Sequence, residues 1–269
     1  MTEEDNPPPM VAHCHRLAPL TPLSWLMKGW QDCRRAPKHS ILYGLFFVII
    51  SYVIFLSAWA FNSISLAVAL LSAFVFLAPV LCIGLYSISR QLKRNQPINF
   101  RKSLRHGIRP YGDLAMFIIV VMVIALVWAR SASMIHIFMP SSSTDSIADL
   151  LLFLSIGSLV GSFFAALVFS VSVFSLPMVM DKKVDMMTCC LSSLNAVLRN
   201  KTTMIFWGLI VVILTGIGIL SGFLGFFVIM PVLGYATWHG YRDTLDASYW
   251  PDRILEFSKK EIEEVSSED

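Results

Sequence analysis

The sequence predicts an all-α membrane protein with six transmembrane helices arranged as three hairpins, and basic amphipathic interfacial segments before each hairpin. Three observations predict it. Of 269 residues, 56% are apolar and 14% are charged, against about 25% charged in an ordinary soluble domain. The apolar residues are gathered into a few long blocks without charge, too long for the amphipathic periods of water-soluble helices. The basic residues fall almost entirely in alternate connections between those blocks, as they do in the cytoplasmic loops of polytopic proteins.

From Ser40 through Ser89 there are 50 residues with no Asp, Glu, Lys or Arg. As one helix they would extend roughly 75 Å at 1.5 Å per residue, whereas a hydrocarbon core of about 30 Å takes about 20 residues. The block must fold back, and Asn62-Ser63 is the natural turn, giving span 1 over 41–61 and span 2 over 64–88. The uncharged run from Thr202 to Tyr241 divides in the same way near Gly216, Gly218, Gly222 and Gly225, giving span 5 over 203–220 and span 6 over 223–241. Between these blocks lie span 3 (114–137), interrupted once by Arg130, and span 4 (150–176). Open strands would leave backbone groups unpaired in lipid, and no segment alternates like a barrel strand, so all are read as helices. The glycine-rich hairpin of spans 5 and 6 is compatible with full crossing or with a re-entrant pair.

Orientation follows from the cations. Five precede span 1, seven lie between spans 2 and 3, four between spans 4 and 5, and four follow span 6, so 20 of 21 share one side. Both termini are therefore expected in the cytoplasm. The opposite connection, 138–149, has Asp145 and Asp149 and no basic residue. Residues 1–16 read as a disordered tail lacking the pattern of a cleaved signal peptide, 17–245 as the membrane domain, and 246–269 as a cytoplasmic C-terminal tail. Five cysteines without paired ligand spacing argue against a disulfide framework.

The hairpins carry a trace of repetition. Pro79-Val80-Leu81 is followed by Tyr86 and Arg90 at seven and eleven residues from the proline, and Pro231-Val232-Leu233 by Trp238 and Arg242 at the same offsets. Span 4 ends with Pro177 but reaches Asp181 instead. Basic stretches with apolar residues at helical spacing precede the hairpins at Trp25–Arg35, Phe100–Arg109 and Leu191–Arg199; such segments suit the headgroup layer, or form ordinary loop helices.

Several fragments resemble one family. They are Pro22-Leu23-Ser24-Trp25, Gly29-Trp30-Gln31-Asp32, Leu77-Ala78-Pro79 with Gly84-Leu85-Tyr86, and Pro231-Val232-Leu233-Gly234 with Ala236-Thr237-Trp238-His239 and Tyr241-Arg242-Asp243. Over about residues 17 to 245 the chain resembles the bacterial predicted integral membrane proteins of domain of unknown function 2189. The resemblance implies a bacterial inner-membrane location and association with cytochrome c oxidase, and it marks Pro79, Tyr86, Pro231, Trp238, His239 and Arg242 as family residues. It also implies a histidine where this chain has Tyr235, one turn from His239; that departure removes the basis for a haem or metal role of the pair here.

The candidate sites are few. Met10, His13, Cys14 and His15 offer soft and borderline ligands for copper or zinc, and Met134, His136 and Met139 near the outer end of span 3 a second set for copper(I). The alternatives are a flexible tail and interfacial packing. Arg130 is a charge within a span, about 24 Å along it from Leu114 at 1.5 Å per residue, and snorkels toward the outer headgroups or lines a solute path. Gly157, Gly161 and Ala165 form a small-residue stripe for helix packing or homodimerisation. No metalloprotease pair, nucleophile elbow or P-loop is present in the sequence, and no cofactor and no nucleic acid is expected. The expectation is a non-enzymatic inner-membrane accessory or assembly factor of a respiratory complex, in contact with lipid and with a membrane-protein partner or a second copy. A small-solute or lipid transporter and a copper-handling protein are the alternatives.

Overall fold

Uncharged runs of this length fold as helices because a helix satisfies its own backbone groups where water cannot. The computed structural model describes residues 9–62, 70, 73–74, 78–94, 111–138 and 147–253. In chain order the elements are β1 (His13–Cys14), α1 (Thr21–Arg35), α2 (Pro37–Ala60), α3 (Ile83–Lys93), α4 (Tyr111–Phe138), α5 (Ile147–Ser172), α6 (Ser175–Asp181), α7 (Met186–Arg199), α8 (Lys201–Leu220), α9 (Phe226–Thr244) and β2 (Leu245–Asp246). Four stretches are long and apolar enough to cross a membrane: Pro37–Ala60, Gly112–Met134, Leu154–Asp181 and Lys201–Leu220. They coincide with spans 1, 3, 4 and 5. Eleven of the 25 residues of span 2 and the basic stretch at 100–109 lie outside the described residues. Span 6 is helical as α9, but its lower half carries His239, Arg242 and Asp243.

The turns obey local chemistry. Pro22 and Pro37 stand in the first turns of α1 and α2, where a missing N–H is no loss. Asn62, with φ of 44°, ends the first span in the left-handed conformation that asparagine tolerates. The α8–α9 turn passes through Gly222 and Phe223 at φ of 65° and 68°, and the Phe223 amide returns to the Gly218 carbonyl at 3.0 Å, closing the helix end. Span 4 is broken at Val173–Phe174, ahead of Pro177. Ser193 of α7 repairs the break: its Oγ accepts from the Phe174 amide at 3.1 Å and donates to the Ser170 carbonyl at 2.7 Å, so the freed backbone groups are not orphaned.

Helix α9 is the axis of the molecule, packed by α1, α2, α3, α6 and α8. Two glycines permit this closeness. A Cβ at Gly29 of α1 would come within 2.7 Å of the Val232 carbonyl, and one at Gly44 of α2 would collide with the Phe227 carbonyl. Trp25, Trp207, Trp238, Tyr235, Tyr241 and Phe47 fill the spaces between. The α4–α5 pair packs together and joins the remainder largely through α7.

The tails differ from expectation. Residues 9–16 are held in place: β1 pairs antiparallel with β2, His13 opposite Asp246 and Cys14 opposite Leu245. The Ala12 amide donates to Ser192 Oγ at 2.9 Å. After β2 the chain forms a strap over the helix ends, with Trp250 buried and the Lys183 and Arg253 amides bonded to the Pro251 and Asp181 carbonyls at 3.0 and 2.9 Å. The expected disorder of the amino-terminal tail does not hold over 9–16, and 246–253 is fastened as well, in both cases by partners distant in sequence.

The close approach predicts a contrast. Gly44→Ala should lower stability by about 1–3 kcal/mol, the usual cost of overpacking, whereas Gly157→Ala, with no atom within 4 Å of a new Cβ, should leave it unchanged. Thermal unfolding in detergent measures both; equal shifts would contradict the packing.

Candidate functional site

At the charged end of the bundle, ionisable groups from distant parts of the chain are drawn into two buried clusters. The first centres on Asp181, whose side chain is 2% exposed. Arg90 of α3 approaches with Nε 3.1 Å from Oδ1, a charge contact without hydrogen-bond alignment. From α9, Arg242 Nη1 reaches Oδ2 at 3.2 Å and the Tyr241 hydroxyl donates to the same oxygen at 3.2 Å. The Arg90 guanidinium also donates to the Met180 and Arg253 carbonyls at 3.2 and 3.1 Å. Burial pulls its pKa down, and Asp181 opposes that pull.

The two arginines that meet at Asp181 are those at equal offsets from Pro79 and Pro231. The acid that they share, Asp181, stands at the end of α6, after span 4. The sequence comparison therefore found the donors and missed the acceptor as a site residue; a lone carboxylate at the end of the one unmatched hairpin was the available signal.

The second cluster centres on Asp32 of α1, also buried. It accepts from Ser89 Oγ of α3 and meets His239 Nε2 of α9 at 2.8 Å. The three residue types are those of a hydrolase, but the order differs: the serine proton goes to the carboxylate and not to an imidazole, so nothing here raises the nucleophilicity of Ser89. One turn away on α9, the Tyr235 hydroxyl lies 3.0 Å from Ser40 Oγ. Tyr235 thus joins α9 to α2, while His239 joins α9 to α1.

Around these clusters, further pairs bind the strap. Asp252 meets Lys182 Nζ at 2.8 Å and Arg94 Nη2 at 2.7 Å, and the Lys182 hydrogen bond helps hold its carboxyl below the usual range. Arg253 reaches Asp113 of α4 at 3.0 Å. Asp243 accepts from Trp25 Nε1 at 3.1 Å and Lys28 Nζ at 2.8 Å. Of the family-resembling residues, Tyr86, Pro231 and Trp238 are buried and Pro79 is half-buried.

The metal candidates separate. Strand alternation turns Cys14 inward, where its Sγ accepts from Asn200 Nδ2 at 3.2 Å, and leaves His13 and His15 exposed. Burial pushes the Cys14 thiol up, away from the thiolate that a metal needs. Among the described residues no group of three or more His, Cys, Asp or Glu is placed to hold a metal ion. Met134 is exposed, while the His136 side chain and Met139 lie outside the described residues. Arg130 is exposed on α4, and Asp145 and the Asp149 side chain of the connection that follows lie outside the described residues. Gly157 and Gly161 have open space beside them and Ala165 is exposed, so this stripe is not a packing seam within the described chain.

Residues 66–181 match the family described as predicted integral membrane protein (DUF2189). The match takes in Arg90 and Asp181 and stops before α8 and α9. No curated protein and no solved structure matches the chain. The family similarity and the four apolar spans together identify an integral membrane protein.

Removing the shared carboxylate leaves two guanidinium groups repelling each other at a buried position. Asp181→Asn should therefore cost about 3–5 kcal/mol, and Arg242→Gln, at a partner 38% exposed, no more than about 1 kcal/mol. Unfolding in detergent monitored by tryptophan fluorescence checks the order; equal losses would show that Asp181 is not the hub.

Proposed function

We propose that this integral membrane protein, similar over 66–181 to a family of predicted integral membrane proteins, is a non-enzymatic accessory or assembly factor of a respiratory complex in the bacterial inner membrane. The observation that supports this reading is the use to which its polar groups are put. Asp32, Asp181, Asp243 and Asp252, which could otherwise meet a substrate, are each tied to two or more side chains of the same protein. They make a rigid base. The α4–α5 pair is joined to it through α7 and the Arg253–Asp113 pair, and among the described residues no atom lies within 4 Å of a Cβ at Gly157 or Gly161, a face suited to packing against another membrane protein.

Six crossings with both termini cytoplasmic complete the proposal. The strap after α9 and the segment before α1 are joined as β1 and β2, so the two ends of the described chain share one side, as an even number of crossings requires. The α8–α9 turn lies beside Tyr52, whose hydroxyl donates to the Gly222 carbonyl at 2.9 Å, and α2 continues two turns beyond to Ala60. That depth favours a hairpin that penetrates most of the bilayer.

Two experiments test the proposal. Gentle extraction of the full chain from native membranes, followed by identification of what migrates with it, should recover subunits of a cytochrome oxidase or of its assembly machinery; reproducible migration alone would defeat the accessory reading. Single cysteines placed at Ser221 and Ser248 in a chain stripped of its own cysteines should label from opposite sides of sealed vesicles. Labelling of both from one side would reject the six-crossing map.

A further inference from the structure

Two helices turn an apolar ridge outward with the same spacing. On α1, Leu23, Met27 and Trp30 are 48%, 65% and 47% exposed, and Arg34 continues the row. On α7, Met187, Leu191 and Leu198 are 43%, 40% and 56% exposed, with half-buried Leu194 between them. Each set follows i, i+4, i+7, i+11, a single line along a helix surface. The opposite faces are committed to the protein interior: Trp25, Gly29 and Asp32 on α1, and Cys189, Ser193 and Ala196 on α7.

The two ridges are joined. Asn200, directly after α7, accepts from the Leu17 amide at 2.9 Å and donates to the His15 carbonyl at 3.0 Å, which holds the end of α7 against the approach to α1. Beyond Lys38 the chain passes into exposed Ile41 and Leu42 of α2, and beyond Lys201 into exposed Ile205 and Leu209 of α8. The ridges therefore border the apolar surfaces of two membrane-crossing helices. Arg16, Arg34, Arg35, Lys38, Arg199 and Lys201 are exposed along this border. Among the described residues none of these six forms an ion pair.

We propose that this belt is a binding surface for anionic phospholipid. Leu23, Met27, Trp30 and Leu198 enter the boundary between headgroups and acyl chains, and the six cations hold phosphate above them. Charge and position select this occupant: uncompensated arginine and lysine beside a surface already solvated by lipid attract anionic headgroups, each basic residue adding a similar increment. The inference rests on the chain lying in a bilayer and is independent of any protein partner. A chain that migrates alone yet retains anionic lipid would fail the accessory reading and keep this one.

The full chain, reconstituted in vesicles of phosphatidylglycerol and phosphatidylcholine and re-extracted in mild detergent, should retain phosphatidylglycerol in preference, as counted by mass spectrometry. The pair Arg35→Gln/Arg199→Gln should reduce that preference about tenfold, and Lys93→Gln/Lys183→Gln, exposed cations at the same end but off the belt, should reduce it far less. Unchanged thermal unfolding of both pairs establishes that each is folded. Equal loss in the two pairs, or no preference in the parent chain, overturns the proposal. Separately, phospholipid brominated close to the headgroup should quench the protein's fluorescence less in Trp30→Phe than in the parent chain. Equal quenching would show that Trp30 faces a protein surface and not lipid.

Discussion

A single buried carboxylate constrains how the helix ends can be arranged. Asp181 closes span 4, and its side chain is withdrawn from water to 2% exposure. A charge so placed is tolerated only if opposite charge and hydrogen bonds replace the solvent it has lost. Arg90 from α3 and Arg242 from α9 provide the charge, and Tyr241 provides a hydroxyl. The ends of α3, α6 and α9 are thereby drawn to one point. The geometry above it follows, since α9 must then run close enough to α1 and α2 that only glycine is accommodated at Gly29 and Gly44.

The strap and the amino-terminal strand are consequences of the same requirement. Arg90 has donors to spare after meeting Asp181, and these take the Met180 and Arg253 carbonyls, which fixes the chain beyond Trp250 across the helix ends. Asp252 and Arg253 then engage Lys182, Arg94 and Asp113, bringing α4 into the same network. A segment that sequence composition presents as a polar tail becomes part of the fold because its charges complete a set begun elsewhere.

Much of the fold was legible in the sequence, and the boundary of what was legible has a physical cause. Spans are set by the thickness of hydrocarbon, a property of the solvent, so counting residues without charge located α2, α4, α5 and α8 to within a few positions. The turns at Asn62 and Gly222 were legible because they need residues that tolerate positive φ. Residues 9–16 were not, because Ser192, Asn200 and Thr244 hold them from across some 180 to 230 positions of sequence. Asp32 and Asp181 were passed over for a related reason: a hydropathy reading stops at the first charge and cannot say whether that charge meets water or an arginine from another hairpin.

The site was legible in half. Equal offsets of Arg90 and Arg242 from their prolines marked two residues in equivalent places, and equivalent cations can approach each other only if an anion stands between them. The one hairpin that breaks the pattern ends in that anion. Were Asp181 neutral, the Arg90 and Arg242 guanidinium groups would meet with no anion between them. Asp181, four residues after Pro177 where the arginines stand eleven after their prolines, falls outside that pattern and is the anion that lets the two cations approach.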